Sequence, residues 1–309
     1  MRAAVYRSVG SPDVIEVREV DKPEPGLADI RIRVQAAALN PVDMAAWGGT
    51  FPPPPEGSYY GLGWDIAGVV DAAGPGVVWE PGQPVIALSR RTSGMNRAQA
   101  EYVVVHSHEL ALAPAGVDPV HAATIPLNGL TAAQSVEMLG IRQGRTVLIT
   151  GAEGAVGGYA VQLAKRRGAV VVASGLSADG EFATNVAGAD AYLPGAEALS
   201  AAVRTRYPVG VDAVLDTAML GQAVIGAVAD GGIFVTTRID ALPQAERGIR
   251  VRLTQVGPDG AMLTTLSDLA ASGELALRVA ETHPLEEAAK AHTRLAAGGL
   301  RGRIVLTLE

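Results

Sequence analysis

Residues 146–158 read TVLITGAEGAVGG. The first five are an apolar, β-branched run with strand character, and the helix-like VGGYAVQLAKRRG begins inside the last three. Between them, Ala152-x-Gly154-x-x-Gly157 keeps the spacing of a dinucleotide fingerprint with alanine in the first place. Small residues there let the backbone approach a pyrophosphate. Gly157 lets the helix lie close on the strand, and free N–H groups at the helix start face an anion. A glycine triplet alone is equally a tight turn of any α/β protein. The context decides: a strand before, a helix after, and a second strand, VVVAS at 170–174, at the expected distance. Ala152, Glu153, Gly154, Ala155, Val156 and Gly157 are therefore expected around a bound dinucleotide.

An NAD-preferring site places Asp or Glu at the end of the second strand, about 20 residues on, to hold the ribose 2′-hydroxyl. Here Ser174, Gly175 and Ser177 occupy that stretch, and the first carboxylate is Asp179. Without an acid there is no repulsion against a 2′-phosphate, so the reading favours NADP(H). No Arg or Lys accompanies it locally, which leaves serine hydroxyls and backbone N–H groups to make the contact.

Outward from the turn, the stretch from about 123 to 260 alternates strand-like and helix-like runs: VLIT, VVVAS, EFATNVAG, AYLP, a helix ending near Tyr207, VDAVLDT (211–217), a helix from Gly221 to Asp230, and IFVTT (233–237). Apolar β-branched runs alternating with helices predict a parallel sheet buried on both faces. Residues 1–122 have another texture, with short β-like runs (IRIRVQAAAL, GVVDAAG, QPVIALS, AEYVVVHS) punctuated by Pro and Gly. The proline-rich GTFPPPPEGSYYG (49–61) reads as a loop bordering a cleft. After the alternating region, MLTTLSDLAASGEL is helical, and LALRVAET, PLEEAAKAHTRLAAG and GRIVLTL read as strand, helix, strand. Leu285, Ala288, Ala289 and Leu295 keep helical spacing in that last helix. This tail is expected to return to the first body.

Composition excludes several classes. The 309 residues are 48% hydrophobic and 18% charged, which is neither a disordered chain nor a highly charged one. A formal net charge of −7 and the lack of a basic patch argue against nucleic acid as partner. The start, MRAAVYRSVG, lacks the apolar core of a signal peptide, and no apolar run approaches about 18 residues, so a cytoplasmic protein without membrane partners is expected. With no cysteine there are neither disulfides nor thiolate metal sites.

The ordered runs ATIPLNGLTAAQSV (122–136), GAEGAVGGYAVQLAKRRGA, VDAVLDT, HPLEEAAKAH and GRIVL, with LNPVDMAAWGG (39–49) and GWDIAGVV (63–70), resemble the medium-chain dehydrogenase/reductase superfamily. More narrowly, they resemble its zinc-independent quinone oxidoreductases related to zeta-crystallin. The resemblance spans nearly the whole chain. It implies an α/β architecture: a GroES-like β-rich catalytic domain at 1–122, completed by 265–309, and a Rossmann doubly wound parallel-sheet domain at 123–264. It further implies a homodimer, and hydride transfer from NADPH to an electron-poor acceptor in a cleft between the domains.

Zinc-dependent members of the family ligate zinc with Cys, His, and Cys or a carboxylate. The matching positions here are Asn40, Trp64 and a residue near Leu127, with Asp65 the one carboxylate, so no zinc is expected. Without a Lewis acid, simple alcohol oxidation is disfavoured. Quinones and α,β-unsaturated carbonyls become the expected substrates, because the incoming charge spreads over a conjugated system.

By the resemblance Asn40 lies near nicotinamide and substrate; by its own context it caps a helix before Pro41, with Asp43 three residues on. Thr131 faces the nicotinamide or is a buried helix-start hydroxyl. Thr217, and Thr236, Thr237 and Arg238, end the fourth and fifth strands, where ligands meet such sheets, unless they are ordinary loop polarity. Arg303 matches a family position near the cofactor, or is an exposed strand charge. Relatives present a tyrosine where this chain has Phe51. Tyr59 and Tyr60 then stand as candidate proton donors beside solvent water, and otherwise as pocket lining. His106 and His108 share a strand face without a third ligand, which reads as surface histidines. Two further functional readings stay open: a dedicated enoyl or enone reductase of a biosynthetic pathway, and a non-catalytic NADPH-binding protein.

Overall fold

The structure, a computed structural model, describes every residue except Ser177, Asp179, Ala196 and Glu309. The strands in chain order are β1 (Arg2–Tyr6), β2 (Glu16–Glu19), β3 (Asp29–Ala38), β4 (Tyr60–Gly61), β5 (Asp65–Ala73), β6 (Pro84–Leu88), β7 (Tyr102–His106), β8 (Leu110–Leu112), β9 (Thr146–Thr150), β10 (Val170–Gly175), β11 (Ala191–Pro194), β12 (Val211–Asp216), β13 (Val228–Thr236), β14 (Arg250–Leu253), β15 (Val279–Pro284) and β16 (Arg303–Thr307). The α-helices are α1 (Pro41–Trp47), α2 (Pro119–Ala122), α3 (Pro126–Met138), α4 (Ala155–Arg166), α5 (Leu199–Arg206), α6 (Gln222–Ile225), α7 (Gly260–Ala271) and α8 (Ala288–Ala296). The chain divides into two compact units: Met1–Leu127 with Gly257–Gly273 and Leu277–Glu309, and Asn128–Val256 with Glu274–Ala276.

In the first unit a sheet runs β15-β16-β3-β5-β6-β8, with β7 also paired to β3, beside a small sheet β2-β1-β4. Alternation sets the faces. Ile30, Ile32 and Val34 of β3 point inward with Ile66 and Val70 of β5, while Arg31 and Arg33 of β3 face away. The carboxy-terminal tail enters this sheet directly, as Val305 to Thr307 pair antiparallel with Ala38 to Ala36. Ala288 and Ala291 of α8, with Leu285 in the turn just before it, then pack against the same core. Of the proline-rich segment only Tyr60 and Gly61 form strand, a two-residue edge against β1.

The second unit holds a six-stranded sheet in the order β11-β10-β9-β12-β13-β14, and every pairing is parallel. Its central strands are apolar on both faces, as helices on either side require: Leu148, Val172, Val214 and Phe234 are all fully buried. Each such side chain contributes about 1.5–3 kcal/mol of burial. The strand order reverses at β9, whose neighbours are β10 on one side and β12 on the other, and ligands of such sheets bind at that switch point.

Several local expectations are corrected. The helix expected from Gly221 to Asp230 is confined to Gln222–Ile225, because Val228 to Asp230 already belong to β13, where Val228 pairs with Val211. The segment EFATNVAG forms a five-residue π-type turn, Phe182–Val186, rather than an α-helix. The helix read through residue 275 stops at Ala271, ahead of Gly273 at φ +77°, and the strand read from 275 starts at Val279. His108 lies beyond the end of β7, so it does not share a strand face with His106; a turn instead brings their Nδ1 atoms 2.6 Å apart.

His292, which shows no sequence pattern, is fully buried in α8. Trp47 Nε1 donates to its Nδ1 at 3.2 Å, and its Nε2 lies 3.0 Å from Gln99 Oε1, so the neutral ring is the one that fits. Burial pulls its pKa from 6.5 down to about 3. Below the unfolded value the denatured ensemble takes up a proton that the native state refuses, so stability falls as pH drops. The expected loss is about 3 kcal/mol by about pH 4. Denaturant titrations across acid pH on wild type and His292→Gln, which keeps a donor and an acceptor but cannot titrate, should show a shallower acid slope in the variant. Equal slopes would contradict this.

Candidate functional site

In the second unit, β9 delivers the chain into a turn that only glycine can complete. Gly151 sits at φ +64°, and a Cβ there would meet Thr217 Oγ1 at 2.8 Å. The tight-turn residue is therefore Gly151, one position before Ala152, which is instead buried. A Cβ on Gly157 would lie 2.1 Å from the Gly151 carbonyl oxygen, so α4 can pack on this turn only with a bare backbone at 157. Gly154 differs. It is the N-cap of α4 and exposed, and a Cβ there would meet only the Gly151 oxygen, at 3.2 Å. Little in the protein itself demands glycine at 154, whereas a ligand approaching from outside would.

The first bond within α4 is donated by Gly158 to the Gly154 carbonyl at 2.9 Å. The N–H groups of Ala155, Val156 and Gly157 precede it, at the positive end of a twelve-residue helix. This cradle fits the pyrophosphate of a dinucleotide: a helix start, a bare glycine cap and the sheet's switch point coincide.

The neighbouring strand ends are tied together by a residue that sequence reasoning missed. Asp216 is fully buried; it accepts from Thr150 Oγ1 at 2.6 Å and from the Gly221 N–H at 2.8 Å. Thr217 Oγ1 donates to the Thr150 carbonyl at 2.6 Å, so its hydroxyl braces the turn. The signal was visible as an acid closing the apolar run VDAVLD.

Other expected ligand contacts are redirected. Ser174 is buried, and its hydroxyl donates to the Gly195 carbonyl at 3.2 Å, so it faces into the protein rather than toward a 2′-phosphate. Ser177 lies outside the described residues. Gly175, the last residue of β10, carries the Glu153 carboxylate directly against it: a Cβ there would be 2.0 Å from Glu153 Oε2. Arg238 is held by Asp240 through two hydrogen bonds, at 2.9 and 2.6 Å, and Thr236 Oγ1 accepts the Arg238 N–H at 3.3 Å. Thr237 follows the end of β13, and Thr131 is buried in α3, its carbonyl accepting from Ser135 Oγ.

In the first unit, a buried polar hub gathers four segments. Asp65, at the start of β5, accepts from Arg303 Nη2 at 3.0 Å, from Asn40 Nδ2 at 2.8 Å and from the Leu127 N–H at 2.5 Å. Arg303 also donates to the carbonyl of Leu39 and to Asn40 Oδ1 at 2.8 Å. Arg303 is thus neither an exposed strand charge nor a side chain presented to solvent. Burial pushes the Asp65 carboxyl up, while Arg303, Asn40 and Leu127 pull it back toward the charged form. Removing one member would leave an uncompensated charge in the core, at a cost of about 3–5 kcal/mol.

Beside it, Asp43 accepts from the Asn40 N–H at 2.9 Å and the Gly63 N–H at 3.1 Å, fixing the start of α1. Burial raises its carboxyl to about 6, opposed by nearby Arg97. Arg97 is itself buried, with Nε donating to the Gly63 carbonyl at 3.1 Å and its guanidinium 5.4 Å from the Trp64 ring. The positions matching family zinc ligands do not fit the metal. Both amide atoms of Asn40 are engaged with Asp65 and Arg303, Trp64 offers no lone pair, and Leu127 is apolar. Among the described residues, no group of three or more His, Asp or Glu side chains is arranged around a common point.

The candidate proton donors separate. Tyr59 accepts from Arg18 Nη1 at 2.7 Å, whereas Tyr60 stands edge-on to Tyr6, ring centroids 6.2 Å apart. A cavity of about 500 Å³ in the second unit, lined by Arg142, Arg145, Asp212, Asp230 and Arg250, lies at the amino ends of the strands. It is at the opposite end of the sheet from the phosphate turn, so it is not the dinucleotide site. No described helix is long and apolar enough to cross a membrane.

Two family models match the chain: an alcohol dehydrogenase GroES-like domain over residues 26–115 and a zinc-binding dehydrogenase over 187–306. A quinone oxidoreductase of Pseudomonas aeruginosa is 28% identical across 97% of this chain and 98% of its own length. Among solved structures, an NAD-dependent alcohol dehydrogenase superposes with a TM-score of 0.88 at 32% identity, covering 100% of both chains. A mycobacterial protein in complex with NADPH superposes with a TM-score of 0.84 at 25% identity, again over 100% of both chains.

The two glycines of the turn should separate by experiment. Gly157→Ala forces a methyl into the Gly151 carbonyl and should lower unfolding free energy by about 1–3 kcal/mol or more. Gly154→Ala should change stability by less than about 1 kcal/mol yet weaken dinucleotide binding by about tenfold or more. Calorimetry and denaturant melts on both variants check this. Full dinucleotide affinity in Gly154→Ala would show that no ligand approaches there.

Proposed function

Because the chain belongs to the medium-chain dehydrogenase/reductase superfamily, in its zinc-independent quinone oxidoreductase-like family, we propose that it transfers a hydride from a reduced nicotinamide dinucleotide to a quinone or α,β-unsaturated carbonyl. The observation that carries this reading is the phosphate turn: Gly157 packed on the Gly151 carbonyl, with the exposed Gly154 cap left open to a ligand. When bound there, the coenzyme supplies the hydride. The chain's own residues hold its pyrophosphate and fix its orientation, which is where the rate gain arises.

The donor set around Asp65 is committed to internal bonds, so it offers no Lewis acid to polarise an isolated alcohol or ketone. A conjugated acceptor needs none, because the added electron pair delocalises onto oxygen. The proton that completes the reduction comes from solvent water, so one quinone, one reduced coenzyme and one proton yield one hydroquinone and one oxidised coenzyme. The lack of an acid at the end of β10 favours NADP(H).

The test is consumption of NADPH or NADH, followed by nicotinamide absorbance, against para-benzoquinone, larger quinones, enones and saturated alcohols. Turnover with conjugated acceptors and none with simple alcohols is expected. Alcohol oxidation without quinone or enone reduction would overturn the reading.

A further inference from the structure

The cavity at the amino ends of the strands in the second unit stands apart from the phosphate turn, and we propose that it is a second ligand site, for a small organic anion: a carboxylate or phosphate carried on an apolar body. Its volume of about 500 Å³ lies inside the roughly 300–1,000 Å³ typical of small-molecule sites. Two features of the chain open it. Between the pairs Val211–Val228 and Ala213–Ile233, β12 has one residue, Asp212, where β13 has four, Ala229 to Gly232, so β13 loops out near its start. A Cβ on Gly232 would lie 2.8 Å from the Asp212 carbonyl oxygen, so the loop returns to the sheet only with glycine there. On the other wall the chain leaves α3 at Met138 and passes through Ile141 and Arg142 before entering β9.

Strand pairing decides what lines the cavity. Val147 of β9 is level with Ala213 of β12, Ala213 with Ile233 of β13, and Ile233 with Arg250 of β14. Residues level with one another in a sheet share a face, so three apolar side chains form a row that ends in a guanidinium, and all four residues line the cavity. The charges there are unevenly matched. Asp212 accepts from Arg145 and, at 2.8 Å, from the Thr146 N–H. Asp230 accepts from Arg247 Nη1 at 2.7 Å. Both carboxylates of the lining are thus engaged by the protein's own cations. Arg142 and Arg250 are exposed, and among the described residues neither guanidinium has a hydrogen bond or an ion pair. A guanidinium presents paired N–H donors that match the edge of a carboxylate or phosphate. What separates this place from ordinary surface arginines is the apolar row beside them, which offers the rest of such a molecule a surface to cover.

Calorimetric titration of the intact protein with phenyl phosphate and benzoate, and with inorganic phosphate and benzyl alcohol as the charged and apolar halves alone, reads the site without turnover. Each organic anion should bind at least about tenfold more tightly than either half. Arg142→Ala and Arg250→Ala should each weaken both organic anions about tenfold or more, the size of one charge-assisted hydrogen bond, with thermal melts unchanged. NADH should neither displace the anions nor lose affinity in either variant. No binding of either organic anion, or affinities unchanged in both variants, overturns the proposal. So does inorganic phosphate binding as tightly as phenyl phosphate, or benzyl alcohol as tightly as benzoate. Displacement by NADH would put the anion at the phosphate turn and overturns it too. Failure of NADH to bind, with the anions still held and still sensitive to both arginines, would contradict the function proposed above and leave this site in place.

Discussion

In the second unit Gly157 lies directly against the Gly151 carbonyl, and much else follows from that contact. A strand can hand its chain to a helix in so few residues only if the helix lies almost on the turn, and that requires a backbone without Cβ at the point of contact. The same compression leaves the first N–H groups of α4 beside the end of β9, at the place where the sheet order reverses. A phosphate site is thus a consequence of packing rather than an addition to it. Asp216 completes the arrangement from within, holding the ends of β9 and β12 together through the Thr150 hydroxyl.

The first unit solves a different problem. Its strands pair across long stretches of sequence, and β16 closes against β3 from the far end of the chain. The Asp65–Arg303 pair with Asn40 and the Leu127 N–H makes that closure specific. A buried carboxylate is tolerated only when all its donors are present, so the residues that supply them must all arrive. Of the positions that the resemblance matches to zinc ligands, Asn40 is engaged by the Asp65–Arg303 ion pair instead, and this shift in chemistry steers the proposed reaction toward acceptors that need no Lewis acid.

The parallel sheet was readable because its signal is local: VLIT, VVVAS and VDAVLD are each apolar runs bounded by turns, and the glycine spacing fixes what lies between the first two. Less local features were hidden. That Arg303 is buried depends on Asp65, some 238 positions away. That Ser174 faces inward depends on Gly195. The helix expected through Asp230 failed because strand pairing of Val228 with Val211 overrode a weak helical pattern. Glu153 was legible only as one residue of the phosphate turn, and the tertiary structure is what sets its carboxylate against Gly175. Residue types announced where a site would be, and the direction of each side chain came from packing.

The central claim is that a dinucleotide is held at the start of α4, and a crystal structure of the chain grown with saturating NADH tests it most directly. The account predicts pyrophosphate oxygens within hydrogen-bond reach of the N–H groups at Ala155 to Gly157, with the exposed face of Gly154 beneath them. Coenzyme bound elsewhere, for instance in the cavity at the amino ends of the strands, or a turn left bare at saturation, would contradict it.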